Sequence, residues 1–154
     1  MEPLVVLLVI FLLTAISTKI IRQKWMLAFA GKLAMSVMLL FTAIGHFLFP
    51  EGMAMMIPEF IPNEKELIYL TGVIEIAAAI GLLFPRSQRL TAWLLILFFI
   101  MILPANIYAA IHHVNIKMAN YDGQGVNYLW FRIPLQLFFI VWVYYFGIKK
   151  ARIQ

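Results

Sequence analysis

The sequence predicts an all-α integral membrane protein, a small bundle of membrane-crossing helices, and three observations carry that reading. Hydrophobic residues make up 64% of the 154 positions and charged residues 12%, against roughly 45–50% and 25% in a soluble domain. The apolar residues gather into five runs, each close to the ~20 residues that cross a ~30 Å hydrocarbon core. The runs lack the strict alternation of barrel strands, and lipid offers backbone groups no partner outside helices and closed barrels.

The first run, about Leu4 to Ile21, resembles a secretory signal in one respect: Ala15 and Ser17 mimic a small-residue cleavage site. Its flanking charges are reversed, with Glu2 before it and Lys19, Arg22 and Lys24 after it, whereas a signal carries its positive charge first. The expectation is a retained anchor helix plus basic loop over 1–27, and a four-helix membrane domain over 28–154. The second run covers about Ala28 to Phe49, the third Leu67 to Phe84, the fourth Leu90 to Ile111 and the fifth Tyr128 to Ile148. Pro50, Pro85 and the segment Asp122-Gly123-Gln124-Gly125 punctuate them.

Loop charges set an expected orientation. Lys19, Arg22, Lys24, Lys32, Arg86, Arg89, Lys149, Lys150 and Arg152 fall on one side, and only Lys65 and Lys117 on the other, with Glu51, Glu59, Glu64, Glu66 and Asp122. Cations concentrate in short cytoplasmic loops, so the N-terminus is expected outside and the C-terminus in the cytoplasm of a cell (inner) membrane. Topology accounts for the +5 formal charge without a nucleic-acid partner. Trp25, Trp93 and Trp130 lie where aromatic belts belong. No cysteine is present, which removes disulfides, thiolate metal sites and thiol relays.

The segment Pro50 to Glu66 is too apolar for an aqueous connector, with Met53, Met55, Met56, Ile57, Phe60 and Ile61. Pro58 and Pro62 forbid one long helix, so a broken interfacial helix or a re-entrant cap is expected. It is either a passive amphipathic connector or a lid.

Polar residues at membrane depth gather in the outer half of the expected bundle. Glu75 is about eight residues into the third run, hence ~12 Å deep. Arg132 and Gln136 lie near the outer end of the fifth, Asn106 near that of the fourth, and His46 near that of the second. An intramembrane carboxylate costs roughly 2.5–3.5 kcal/mol at a helix centre and normally pairs inside the bundle. Arg132 is the partner expected for Glu75, either as a lock between two helices or with its spare donors, and the Gln136 and Asn106 amides, holding a carbonyl or phosphate oxygen. Asn106 follows Pro104, which frees the Ile100 carbonyl, so its amide serves either the kinked turn or a ligand. His46 either moves a proton or makes interfacial hydrogen bonds. Tyr108 and His112 share a face and either line the site or form its outer rim. His112 and His113 diverge too far on a helix to share a metal. Thr71, Gly72, Ala77, Ala78, Ala79 and Gly81 make the third run slim, and it is expected to be the central helix. Lys32 is expected to snorkel to the inner interface.

Gly45-His46-Phe47, Phe49-Pro50, Ile57-Pro58, Ile61-Pro62, Thr71-Gly72-Val73-Ile74-Glu75, Gly81-Leu82-Leu83, Pro104-Ala105-Asn106 and Arg132-Ile133-Pro134-Leu135-Gln136 occur in that order. Together they resemble the DoxX-like family of small membrane proteins, over about Ala28 to Ile148. The resemblance implies a four-helix core with one extra N-terminal transmembrane helix here. It implies kinship with membrane subunits tied to thiosulfate:quinone oxidoreduction and methylamine utilisation, and with relatives that assist receptor assembly. The missing cysteines argue against sulfur chemistry on this chain.

Two functions fit these residues. One is an outer-leaflet pocket of His46, Glu75, Asn106, Tyr108, Arg132 and Gln136 that binds a quinone or other lipophilic molecule, in a membrane subunit of an oxidoreductase system whose electrons come from a protein partner. No covalent cofactor is expected. The other is an assembly factor or scaffold for membrane proteins, its polar cluster being internal glue. Whether the chain is an enzyme is left open by its residues. A transporter fits poorly, because the five spans contain no even repeat and no pair of broken helices meeting at the midplane.

Overall fold

A computed structural model describes residues 2–150. The expectation for Arg152 as an inner-side cation lies outside the described residues. Five helices are long and apolar enough to cross a membrane, and among the described residues there is no strand, only an isolated bridge between Asn115 and Asn120. This is a multi-span membrane protein. The helices are α1 (Glu2–Arg22), α2 (Leu27–Leu48), the short α3 (Pro50–Ala54), α4 (Glu64–Leu83), α5 (Gln88–Ile111) and α6 (Leu129–Val143). A 3-10 turn, Gly125–Tyr128, leads into α6, and a π-helical stretch, Tyr144–Lys149, continues it.

Helix α2 is the centre of the bundle, where the sequence pointed to α4. Half of the α2 span is buried, against 28% for α4. The physical reason lies in how small residues are distributed around each cylinder. On α2, Ala28, Ala30, Gly31, Ala34, Met35, Ser36, Met38, Leu39 and Ala43 are buried on more than one face, so α1 and α4 pack on different sides of it. On α4 only Ile68, Gly72, Glu75, Ala79 and Leu82 are buried. Their alternating four- and three-residue spacing is a single seam, while Ala77 and Ile80 face outward.

The main core joins α1, α2, α4, α5 and α6 through Leu7, Met35, Met38, Leu39, Leu82, Leu95, Phe139 and Trp142. Phe11 of α1 sits edge-on to Trp142 with ring centres 5.0 Å apart, and 5.6 Å from Phe146. The Trp142 indole donates to the Gly31 carbonyl at 3.0 Å. Gly31 is required there, because a Cβ would run into the Phe146 ring.

The two ends of the bundle differ. At the basic end, Lys32 donates to the Gln88 side-chain oxygen at 2.8 Å, and the Gln88 amide donates to the Gly147 carbonyl at 3.0 Å. Lys32, in the second turn of α2, thus reaches to the buried first residue of α5 at the basic end. At the loop end, α3 is one five-residue helix followed by turns, with Ala54 and Ile57 packed on Ile68 of α4. Lys65 holds it from outside at 3.1 Å from Glu51, and keeps the Glu51 carboxyl below its ordinary value. Lys117, in the loop after α5, pairs with Glu2 at 2.8 Å, which brings the start of α1 to this same end.

Candidate functional site

Thr42 and His46 stand one turn apart on α2, and Thr71 and Glu75 one turn apart on α4. Gly72 lets the helices close on each other here, since a Cβ at that position would come within 2.9 Å of His46 Cβ. The four side chains form one part-buried network around the buried Glu75. The Thr42 hydroxyl donates to Glu75 Oε2 at 2.8 Å and also lies 3.0 Å from the Leu39 carbonyl. His46 Nε2 faces the same Glu75 oxygen at 3.5 Å. His46 Nδ1 is 3.1 Å from the Ile68 carbonyl and 3.0 Å from the Thr71 hydroxyl.

Glu75 is thus paired with His46 and Thr42, and Arg132 is not its partner. Among the described residues the ion pairs are His46–Glu75, Lys65–Glu51 and Lys117–Glu2. The cause is helix neighbourhood: α4 packs along α2, while α6 packs along α5. Arg132 accordingly finds Asn106 on α5, donating from Nε to the amide oxygen at 3.2 Å. The Asn106 amide nitrogen donates back to the Ile102 carbonyl at 3.1 Å. Gln136, 3% exposed, donates to the Phe99 carbonyl at 2.7 Å. Neither amide takes the Ile100 carbonyl, the one against which the Pro104 ring presses; they take carbonyls on either side of it.

Asn106 and Arg132 line a cavity of about 370 Å³ at the loop end, together with Met56, Ala110, Lys117, Asp122 and Tyr128. Its roof is the 112–124 loop. His113 turns into the left-handed region (φ 54°), and its carbonyl accepts from Gly123 N at 2.6 Å. Gly125 (φ 68°) lets the chain turn against the His113 ring. On the other side Gly52 of α3 touches the Ile116 backbone so closely that no Cβ fits.

The six residues read as one site from the sequence therefore fall in four places. His46 and Glu75 belong to the α2–α4 network, and Asn106 and Arg132 to the cavity, while Gln136 lies deeper against α5. Tyr108 stacks on His112 with ring centres 4.0 Å apart, and the His112 ring is exposed and 2.9 Å from the Tyr108 carbonyl. Thr42 was missed by sequence reasoning; its place one turn before His46, matching Thr71 before Glu75, was the available signal.

A family model described as a domain of unknown function, DUF8561, matches residues 35–147. The chain belongs to the DUF8561 family. The DUF8561 match takes in all four residues of the α2–α4 network and every residue named in the cavity, and it leaves out α1. Neither a curated protein nor a solved structure matches the chain.

Proposed function

We propose that this DUF8561 protein binds the polar head of a lipophilic molecule, a quinone being the leading candidate, in the cavity above Arg132. In this reading it is the membrane subunit of an oxidoreductase system. The single observation that carries the reading is the disposition of Arg132. Its Nε is fixed by Asn106, while among the described residues its terminal nitrogens have no hydrogen-bond or carboxylate partner, and the side chain lines the cavity. A guanidinium held at one nitrogen presents its other donors in a defined direction, which suits a ring carbonyl or a headgroup oxygen. The volume falls in the ~300–1,000 Å³ range of small-molecule sites. Electrons would come from a partner protein, since the chain offers no thiol.

The DoxX-like resemblance agrees with this role and, in this reading, residues 28–154 correspond to the four-helix domain that it implies. The excess of loop cations at the other end supports a cavity on the outer side of a cell membrane in this reading, with the N-terminus outside and the C-terminus cytoplasmic.

The second reading, a scaffold or assembly factor with a structural cluster, is favoured by Gln136 and Asn106, whose amide nitrogens each already donate to a backbone carbonyl. Mass spectrometry of organic extracts from protein purified in native lipid discs separates the two. A quinone or other specific lipid enriched with the parent and lost with folded Arg132→Gln is the expected result. Bulk phospholipid alone in both samples would discard the cavity reading in favour of the scaffold.

A further inference from the structure

The α2–α4 network is short of one proton when His46 is neutral and Glu75 ionised. His46 Nδ1 lies 3.1 Å from the Ile68 carbonyl, which can only accept, and 3.0 Å from the Thr71 hydroxyl, whose own hydrogen is directed to that carbonyl at 2.7 Å; with the hydroxyl so turned, both neighbours are acceptors and Nδ1 carries a hydrogen. A neutral imidazole then has a bare lone pair on Nε2. That lone pair faces Glu75 Oε2 at 3.5 Å, and an ionised carboxylate is also acceptor-only. The two side chains are 14% and 7% exposed, so little water separates the opposed lone pairs, and low polarity strengthens their repulsion. A proton on either atom removes it, and either placement leaves the pair with zero net charge. We propose that His46 and Glu75 form a proton-binding site, which takes up one exchangeable proton between Nε2 and Oε2 while the Nδ1 hydrogen stays on the Ile68 carbonyl.

The two threonines fit both placements of that proton. Thr71 donates to the Ile68 carbonyl at 2.7 Å and braces the ring edge beside Nδ1. Thr42 lies between Glu75 Oε2 and the Leu39 carbonyl, and a hydroxyl has one hydrogen and two lone pairs. It donates to the carboxylate when His46 holds the proton. When Glu75 holds it, Thr42 turns its hydrogen to Leu39. Of the elements packed around the pair, α3 contributes Glu51, which is tied to Lys65, and α6 contributes Arg132, which is tied to Asn106. Among the described residues Glu75 alone lies within ion-pair reach of the imidazole. Ionisable residues at membrane depth normally pair and mark functional paths such as proton relays. The inference does not rest on the cavity, whose lining includes none of the four residues.

The test is a pH titration of ¹⁵N and ¹H signals from protein in lipid discs. It uses a His112→Gln/His113→Gln variant, in which His46 is the only imidazole. The expected result is a Nδ1 hydrogen retained throughout and a one-proton change at Nε2. Glu75→Gln should lower the proton affinity of Nε2 at least tenfold. A neutral His46 with its hydrogen on Nε2 and Nδ1 bare would overturn the proposal, because a single hydrogen bond would then satisfy an ionised Glu75. That reading comes from the chain with Glu75 in place, so it decides the matter even if Glu75→Gln fails to fold. An unchanged affinity in a folded Glu75→Gln would overturn it equally.

Discussion

Gln136 on α6 donates to the Phe99 carbonyl on α5 at 2.7 Å, tying the last span to the helix that contains Pro104. Gln136→Leu keeps the volume and removes the donor. Side-chain hydrogen bonds between membrane helices average ~0.6 kcal/mol, with a maximum near 1.7. The expected loss is about 1 kcal/mol, measured by reversible unfolding in lipid discs, with bound lipophile retained. Loss of the ligand at unchanged stability would move Gln136 into the binding site.

Gln88 predicts a larger effect at the basic end. Gln88→Leu leaves the Lys32 ammonium and the Gly147 carbonyl without their partners, and an unmade buried hydrogen bond costs about 1–3 kcal/mol. Adding Lys32→Met removes the stranded charge and should restore part of that loss. The unfolding midpoints of the single and double variants give the answer, and no recovery in the double variant would mean that Lys32 reaches water unaided.

Gly52 tests the roof of the cavity. In Gly52→Ala the new methyl meets the Ile116 carbonyl, a backbone atom that cannot rotate aside, and overpacking of this kind costs about 1–3 kcal/mol. The 112–124 loop should lift, and trypsin should cut after Lys117 faster than in the parent. An unchanged cleavage rate would show that α3 yields instead of the loop.

The Glu51–Lys65 contact predicts an acid-sensitive tether. Glu51 has its carboxyl held below the ordinary value by Lys65. Its contribution is complete above the ordinary carboxylate value and fades as pH falls through the depressed one. Proteolysis of the 55–63 segment should rise at acid pH in the parent, and Glu51→Gln should already show that rate at neutral pH. Both groups are more than half exposed, so the effect is local.

Apolar length and breakers were enough to place all five spans within a few residues, because a bilayer constrains helix length so strongly. Helix adjacency was not legible. Thr42, His46, Thr71 and Glu75 each lie on a readable face, yet nothing in the spacing says that α2 packs along α4. Without that knowledge Arg132, the most conspicuous cation at depth, looked like the partner of Glu75. The centre of the bundle was misread for a related reason: α4 has the denser run of small residues, whereas α2 spreads them around its circumference. The 112–124 loop was legible only as a turn, since its packing on Gly52 joins positions far apart in the chain.

The pairing of α6 with α5 also bears on how the chain enters the bilayer. The α1 helix is the most apolar of the five spans and the one that includes α6 the least, so α1 can partition into lipid unaided while α6, carrying Arg132 and Gln136, gains most from company. Synthesis runs from N- to C-terminus, so the Phe99 carbonyl and the Asn106 amide are in place before α6 leaves the ribosome. The most polar span is thus the last to insert and enters beside a helix already fitted to receive it.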